Sequence, residues 1–245
     1  MMHRKIYYPV LLLLAAISHS LAGEFPDAQF NQANIAYQDG DYELAVVLYT
    51  DILREQATAN LHYNLGNAYF GLGKYGPSIL HYKKALILDP GNPEFRANLN
   101  FVIEKAAVNY PEPSGWDTYA GYLRIQTWAW LASLSFWGAI AFWVLPPLYD
   151  WRSIFPKVLS GVLFCVFALS ALGLTGYHLQ RTQGIVQVAD APIRVAPAAT
   201  TPPITYLPDG EFATIIHQQG DYYLVDTLKQ QSGYIHQNDF IPIWN

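Results

Sequence analysis

The sequence predicts a multidomain chain: an all-α helical repeat, a hairpin of two membrane-length helices, and a small all-β barrel. Three observations predict it. A pattern of Asn, Gly-x-Tyr and Ala recurs within the first hundred residues. Two later intervals, 125–149 and 158–180, contain no Asp, Glu, Lys or Arg. From residue 184 onward, short alternating apolar runs are separated by turn signals.

Composition agrees. Apolar residues make up 52% of the chain, and charged residues 13%, about half the usual quarter. That pairing places membrane segments inside an otherwise water-soluble chain. The net charge of −5 argues against nucleic acid, which calls for a basic face. Cys165 is the single cysteine, so no intrachain disulfide forms and no multi-thiolate metal site exists.

Residues 1–22 read as an export signal. His3, Arg4 and Lys5 form a positive start, Val10 to Ile17 an apolar middle, and Ser20-Leu21-Ala22 a peptidase site with cleavage after Ala22. The alternative is an uncleaved anchor whose Arg4 and Lys5 hold the N-terminus in the cytoplasm, and in either case the chain that follows is exported.

Residues 23–110 carry the repeat. Asn64-Leu65-Gly66-Asn67-Ala68-Tyr69, Gly73-Lys74-Tyr75, Tyr82, Ala85 and Asp89-Pro90 form one copy. Asn31-Gln32-Ala33-Asn34, Gly40-Asp41-Tyr42, Ala45, Tyr49 and Ile52 form an earlier one. Each copy reads as two helices. A glycine ends the first in each copy, and in the later copy Pro90 stops the second. These spacings resemble the tetratricopeptide repeat (TPR), with a period of about 34 residues. His62 stands where that family often has tryptophan, and Ser78 where it usually has alanine. A fifth helix over 93–107 reads as the cap that such stacks require.

In a TPR stack the first helices of successive repeats line a concave face. Equivalent positions on it are Asn31, Asn64 and Asn98; then Asn34, Asn67 and Phe101; then Phe30 and Tyr63; with Tyr37 and Phe70 beyond them. Amides both donate and accept, so they suit the backbone of an extended peptide, and aromatic rings supply the apolar anchor. The alternative is that the asparagines satisfy contacts between helices. The groove lacks the Lys and Arg clamp with which chaperone-binding TPRs hold a terminal carboxylate.

Residues 111–124 form a linker or a helix lying on the membrane surface, and residues 125–180 the two spans, with helices near 125–145 and 157–179. Each uncharged interval exceeds the roughly 20 residues that cross a bilayer core. Trp128 and Trp130 flank one end of the first span, and Trp143, Tyr149 and Trp151 the other, as interfacial belts do. Arg152 and Lys157 in the connecting loop favour a cytoplasmic loop. The TPR part and the C-terminal part then face the periplasm from the bacterial inner membrane. No acidic or basic residue sits at mid-depth, which excludes an ion path.

Residues 184–245 show five runs, near 185–188, 193–195, 212–216, 222–225 and 233–235, closed by Phe240-Ile241-Pro242-Ile243. With Ala191-Pro192-Ile193-Arg194, Leu207-Pro208-Asp209-Gly210 and Ser232-Gly233-Tyr234-Ile235, this stretch resembles bacterial SH3-type barrels. The resemblance implies a peptide- or glycopeptide-binding groove, for which Tyr206, Tyr223, Tyr234 and Trp244 are the candidates. His217, Asp221 and His236 lack chelating spacing. No metal ligands, cofactor site or catalytic constellation is legible, so the chain reads as a binding protein and not an enzyme.

The order of export signal, TPR pair, cap, two spans and SH3-type barrel resembles the BatE-like aerotolerance-operon family along nearly the whole chain. That resemblance implies partners among von Willebrand A-type membrane proteins and a MoxR-type ATPase, in a stress or complex-assembly system. The competing reading is a cell-envelope anchor that holds peptidoglycan through the barrel.

Overall fold

The computed structural model describes residues 27–149 and 153–244. The export signal, Trp151 and Arg152 lie outside those residues. Helices α1 (Asp27–Gln38), α2 (Tyr42–Glu55), α3 (Ala59–Gly71) and α4 (Tyr75–Leu88) form two successive hairpins, and α5 (Pro93–Ala106) stacks on α4.

Local chemistry sets these boundaries. Gly40 and Gly73 adopt φ of 81° and 70°, a left-handed conformation that ends a helix without steric cost. In both places the chain closes identically: the Asp41 N–H reaches Ala36 O at 2.9 Å, and the Lys74 N–H reaches Tyr69 O at 3.0 Å. Asp41, Thr58 and Asn92 then cap α2, α3 and α5 by accepting from backbone N–H groups of the first turn.

The two departures from the repeat pattern are both buried and both partnered. Ser78 is fully buried, and its hydroxyl donates to Gly66 O at 2.8 Å, tying α4 to α3. His62 on α3 is buried with its Nδ1 2.9 Å from Nδ1 of His81 on α4. The pair stacks with centroids 5.2 Å apart, and His81 stacks in turn on Tyr69.

Helices α7 (Ile125–Leu148) and α8 (Phe155–Leu179) form an antiparallel hairpin. Both are long and apolar enough to cross a membrane, and only 22% and 17% of their most apolar windows are buried. Pro146 and Pro147 fall in the last turn of α7, which runs three residues past its expected end. The Ser160 hydroxyl donates to Ala139 O at 2.8 Å. Gly173 receives the Trp128 ring so closely that a Cβ there would lie 2.6 Å from it.

Trp128 therefore does not sit in an outward belt. It is 6% exposed, and its indole N–H donates to Ala120 O at 2.9 Å. Trp130, Trp143 and Tyr149 remain exposed.

Within 111–124, a short helix α6 (Gly115–Ala120) opens on a capping box between Ser114 and Asp117. It packs along the end of α8. The Tyr119 hydroxyl donates to Leu169 O at 3.0 Å, and the Gln180 amide to Asp117 at 2.8 Å. The Tyr177 hydroxyl donates to Leu123 O at 2.9 Å, and Arg124 pairs with Asp89 of the repeat at 3.0 Å.

A 3-10 turn (Gln180–Thr182) leads into an antiparallel sheet of β1 (Gln183–Val186), β2 (Ala191–Arg194), β3 (Pro203–Leu207), β4 (Phe212–Gln219), β5 (Tyr222–Thr227), β6 (Ser232–His236) and β7 (Phe240–Pro242). The strand order is β3-β2-β6-β5-β4-β1-β7. Two of the seven strands differ from the five runs read in the sequence. β7 is the closing segment, and β3 begins at the second residue of the Pro202-Pro203 pair. Pro203 starts an edge strand, where a missing N–H costs no ladder bond.

The parts share a core. Ile79 and Leu99 of the repeat, Trp128 and Tyr177 of the hairpin, and Ile185, Phe212 and Ile243 of the C-terminal segment form one buried cluster. A second cluster fills the first repeat, and a third, around Val225, Ile235 and Phe240, fills the sheet.

Candidate peptide-binding surface

The ten residues expected on the concave face of the repeat fall into two groups by their contacts and exposure. Asn34 and Asn67 serve the fold. The Tyr49 hydroxyl donates to Asn34 Oδ1 at 2.6 Å, and the Tyr82 hydroxyl donates to Asn67 Oδ1 one repeat later. Burial pushes the Tyr49 phenol up to about 12 and the Tyr82 phenol higher still, so both stay protonated and keep donating. The inter-helix role of these two amides is thus built into each repeat.

Asn98 of α5 extends this network. Its amide donates to Asn67 Oδ1 at 3.2 Å and to the Tyr63 oxygen at 2.9 Å, while Tyr63 donates to Glu94 at 2.7 Å. The Tyr63 ring lies 4.7 Å from Phe95, in stacked geometry. The capping helix is therefore fastened across the groove by polar contacts as well as by apolar packing.

The second group ranges from half-buried to exposed. Asn31 is exposed and Asn64 half-buried. Phe101 is 56% exposed, with its ring edge-on to half-buried Phe70 at 5.5 Å. Tyr37 is half-buried beside Tyr42 at 5.4 Å. Phe30 leans on Tyr49 at 6.0 Å. Glu94 brings a carboxylate to the rim, held there by Tyr63. Sequence spacing alone missed Glu94 and the two core tyrosines. The matching interval from Asn34 to Tyr49 and from Asn67 to Tyr82 was the signal that could have revealed the tyrosines.

Residues 59–92, which contain α3 and α4, match the tetratricopeptide repeat family. The segment is a TPR. TPRs are typically scaffolds for protein–protein interaction. No curated protein matches the chain.

The four aromatic candidates of the sheet do not converge. Cross-strand register puts Tyr234 opposite Leu224 and Tyr206 opposite Pro192, on the face away from the sheet core. There Tyr206 is 58% exposed, and Tyr234 donates to Gln219 at 3.1 Å. Tyr223 pairs with buried Ile235 and packs on Phe240 at 5.9 Å, on the core face. Trp244 lies at the junction with the hairpin, edge-on to Tyr177 at 6.3 Å. Tyr206 and Tyr234 share a face; Tyr223 and Trp244 do not join them.

Proposed function

We propose that the chain is a membrane-anchored adaptor that captures a segment of a protein partner on the concave face of its TPR array. The observation that carries this reading is the TPR at 59–92, stacked between an upstream helical hairpin and a capping helix. Together they present Asn31, Asn64, Phe70 and Phe101 toward solvent. The apolar hairpin spans the bacterial inner membrane, with both water-soluble parts on the periplasmic side. The antiparallel arrangement supports this, because Ile125 and Leu179 lie at the end of the hairpin that meets the repeat and the sheet.

The partner is a membrane protein of the von Willebrand A type, working with a MoxR-type ATPase in stress response or complex assembly, as the family resemblance implies. Confinement of both proteins to one membrane raises their effective concentration, so a small groove suffices. The Glu94 carboxylate favours a segment that brings a donor or a cation to the rim.

The test places a photo-crosslinking residue at Asn64 in the full chain, in intact cells, with a second variant bearing it at exposed Asp51 of α2 as control. The expected result is a crosslink from position 64 to one membrane partner, lost in the Phe101→Asp variant and absent from position 51. Equal crosslinking with and without Phe101→Asp refutes the groove.

A further inference from the structure

The loop-side half of the apolar hairpin contains a groove of about 400 Å³ between α7 and α8. Phe136, Ile140 and Trp143 of α7 and Phe164 of α8 form its walls, and Gly161 opens it. A Cβ at Gly161 would meet no atom within 4 Å, so the groove is open space and not a packed seam. Its floor is the close contact in which Ser160 donates to Ala139 O. Among the described residues, Lys157 is the charged one that lines it, in the first turn of α8, where the helix dipole adds positive potential.

We propose that this groove holds one anionic phospholipid, with an acyl chain along the aromatic walls and the phosphate on Lys157. The inference rests on the reading of the hairpin as membrane-spanning. Three features favour a lipid over a partner helix. From Lys157 to Phe164 the groove runs about two helical turns, short for a seam between spanning helices. Phe136, Trp143 and Phe164 wall a floor of small residues, Ala139, Ser160 and Gly161, leaving a ring-lined cleft where a helix seam would close on its small residues. A lysine facing a partner helix would demand a buried acid, whereas a phosphate at the membrane surface meets it without that cost.

Full-length protein purified in mild detergent is offered phosphatidylglycerol or phosphatidylethanolamine, and retained lipid is read by native mass spectrometry. The wild-type protein retains phosphatidylglycerol in preference. Lys157→Gln lowers that retention about fivefold, the effect of one charge near the bilayer surface, while Lys157→Arg preserves it. Gly161→Leu, whose side chain enters the open groove, displaces both lipids.

Equal retention of the two lipids, or phosphatidylglycerol retention indifferent to Lys157→Gln and Gly161→Leu, overturns the proposal. So does a dimer, or a co-purified single-span protein, that Gly161→Leu removes while lipid retention is unchanged. Carbonate extraction of the membranes is run alongside. Wild-type protein released by carbonate refutes the membrane reading itself; protein that stays with the membrane but shows no lipid preference refutes only the lipid site.

Discussion

The side-chain amide of Asn109 donates to one carboxylate oxygen of Glu211 at 3.0 Å, and its backbone N–H faces the other at 3.3 Å. Glu211 is 1% exposed. A buried carboxylate just before β4 is thus held by the residue that leaves the capping helix of the repeat. A hydrogen bond to a charged group contributes about 1.5–3 kcal/mol, more when its loss strands a buried charge. Asn109→Ala is expected to lower stability by about 2 kcal/mol in urea unfolding of the detergent-solubilised chain. Glu211→Gln should cost less in that background than in the wild type, and equal costs would show the two residues to be uncoupled.

Gly76, in the first turn of α4, marks a second point of contact. A Cβ there would lie 2.1 Å from Asp209 Oδ1 and 2.2 Å from Val186 O. The carboxylate of Asp209 sits over the start of the helix, where the N–H groups of Gly76 and Tyr75 attract it electrostatically, although its buried Oδ1 has no well-aligned donor. Gly76→Ala must push the sheet away from the repeat, at an expected cost of about 1–3 kcal/mol in the same unfolding measurement. Gly91→Ala, where a Cβ meets nothing within 4 Å, serves as the control and leaves the midpoint in place.

The imidazole pair predicts a dependence on pH. Burial, and then the nearby Lys84 charge, push His62 down to about 4. Burial, His62 and Lys84 together hold His81 well below the ordinary histidine range. Unfolded histidines titrate near 6.5, so below that pH the unfolded chain binds protons that the folded chain refuses. Stability is full above about pH 6.5 and falls by about 1.4 kcal/mol per pH unit for each histidine as the pH drops toward 4. Asp209 acts in the opposite sense, because burial raises its carboxyl and acid relieves that cost. Thermal unfolding from pH 7 to pH 4.5 should show a falling midpoint, and His62→Phe with His81→Leu should flatten it.

Tyr49→Phe and Tyr82→Phe each remove one hydroxyl from the Asn34 and Asn67 oxygens. Each should cost about 1 kcal/mol. The two hydroxyls have different hydrogen-bond acceptors, so the double variant is expected to show the sum within about 0.5 kcal/mol by denaturant titration. A markedly larger combined loss would mean that the two repeats fold as one tightly coupled unit.

The elements with local chemistry were legible in the sequence. Gly40 and Gly73 marked helix ends, Asn92-Pro93 marked the start of the capping helix, and the uncharged intervals marked the long helices to within a few residues. Contacts made across the chain were not legible. Ile79, Ile185, Phe212 and Ile243 each fit the pattern of a separate local core, and nothing in their periodicity reveals that they meet. Trp128 looked like a residue of a membrane rim, because its partner Gly173 is distant in sequence. Pro202-Pro203 hid a strand whose position at a sheet edge makes proline tolerable. At the candidate site, the spacing of the asparagines could not show that a tyrosine on the next helix engages two of them.

The junction around Ala120 and Trp128 bears on how such a protein meets anything else. Arg124 grips Asp89, Tyr177 grips Leu123, and the indole of Trp128 grips Ala120, so no slack chain separates the helical stack from its two long helices. With those helices in a bilayer, the stack cannot swivel like a float on a line; it is bolted like a bracket, at one height and one heading. A binding partner must arrive along that heading, and lengthening the joint with a few flexible residues would trade aim for reach.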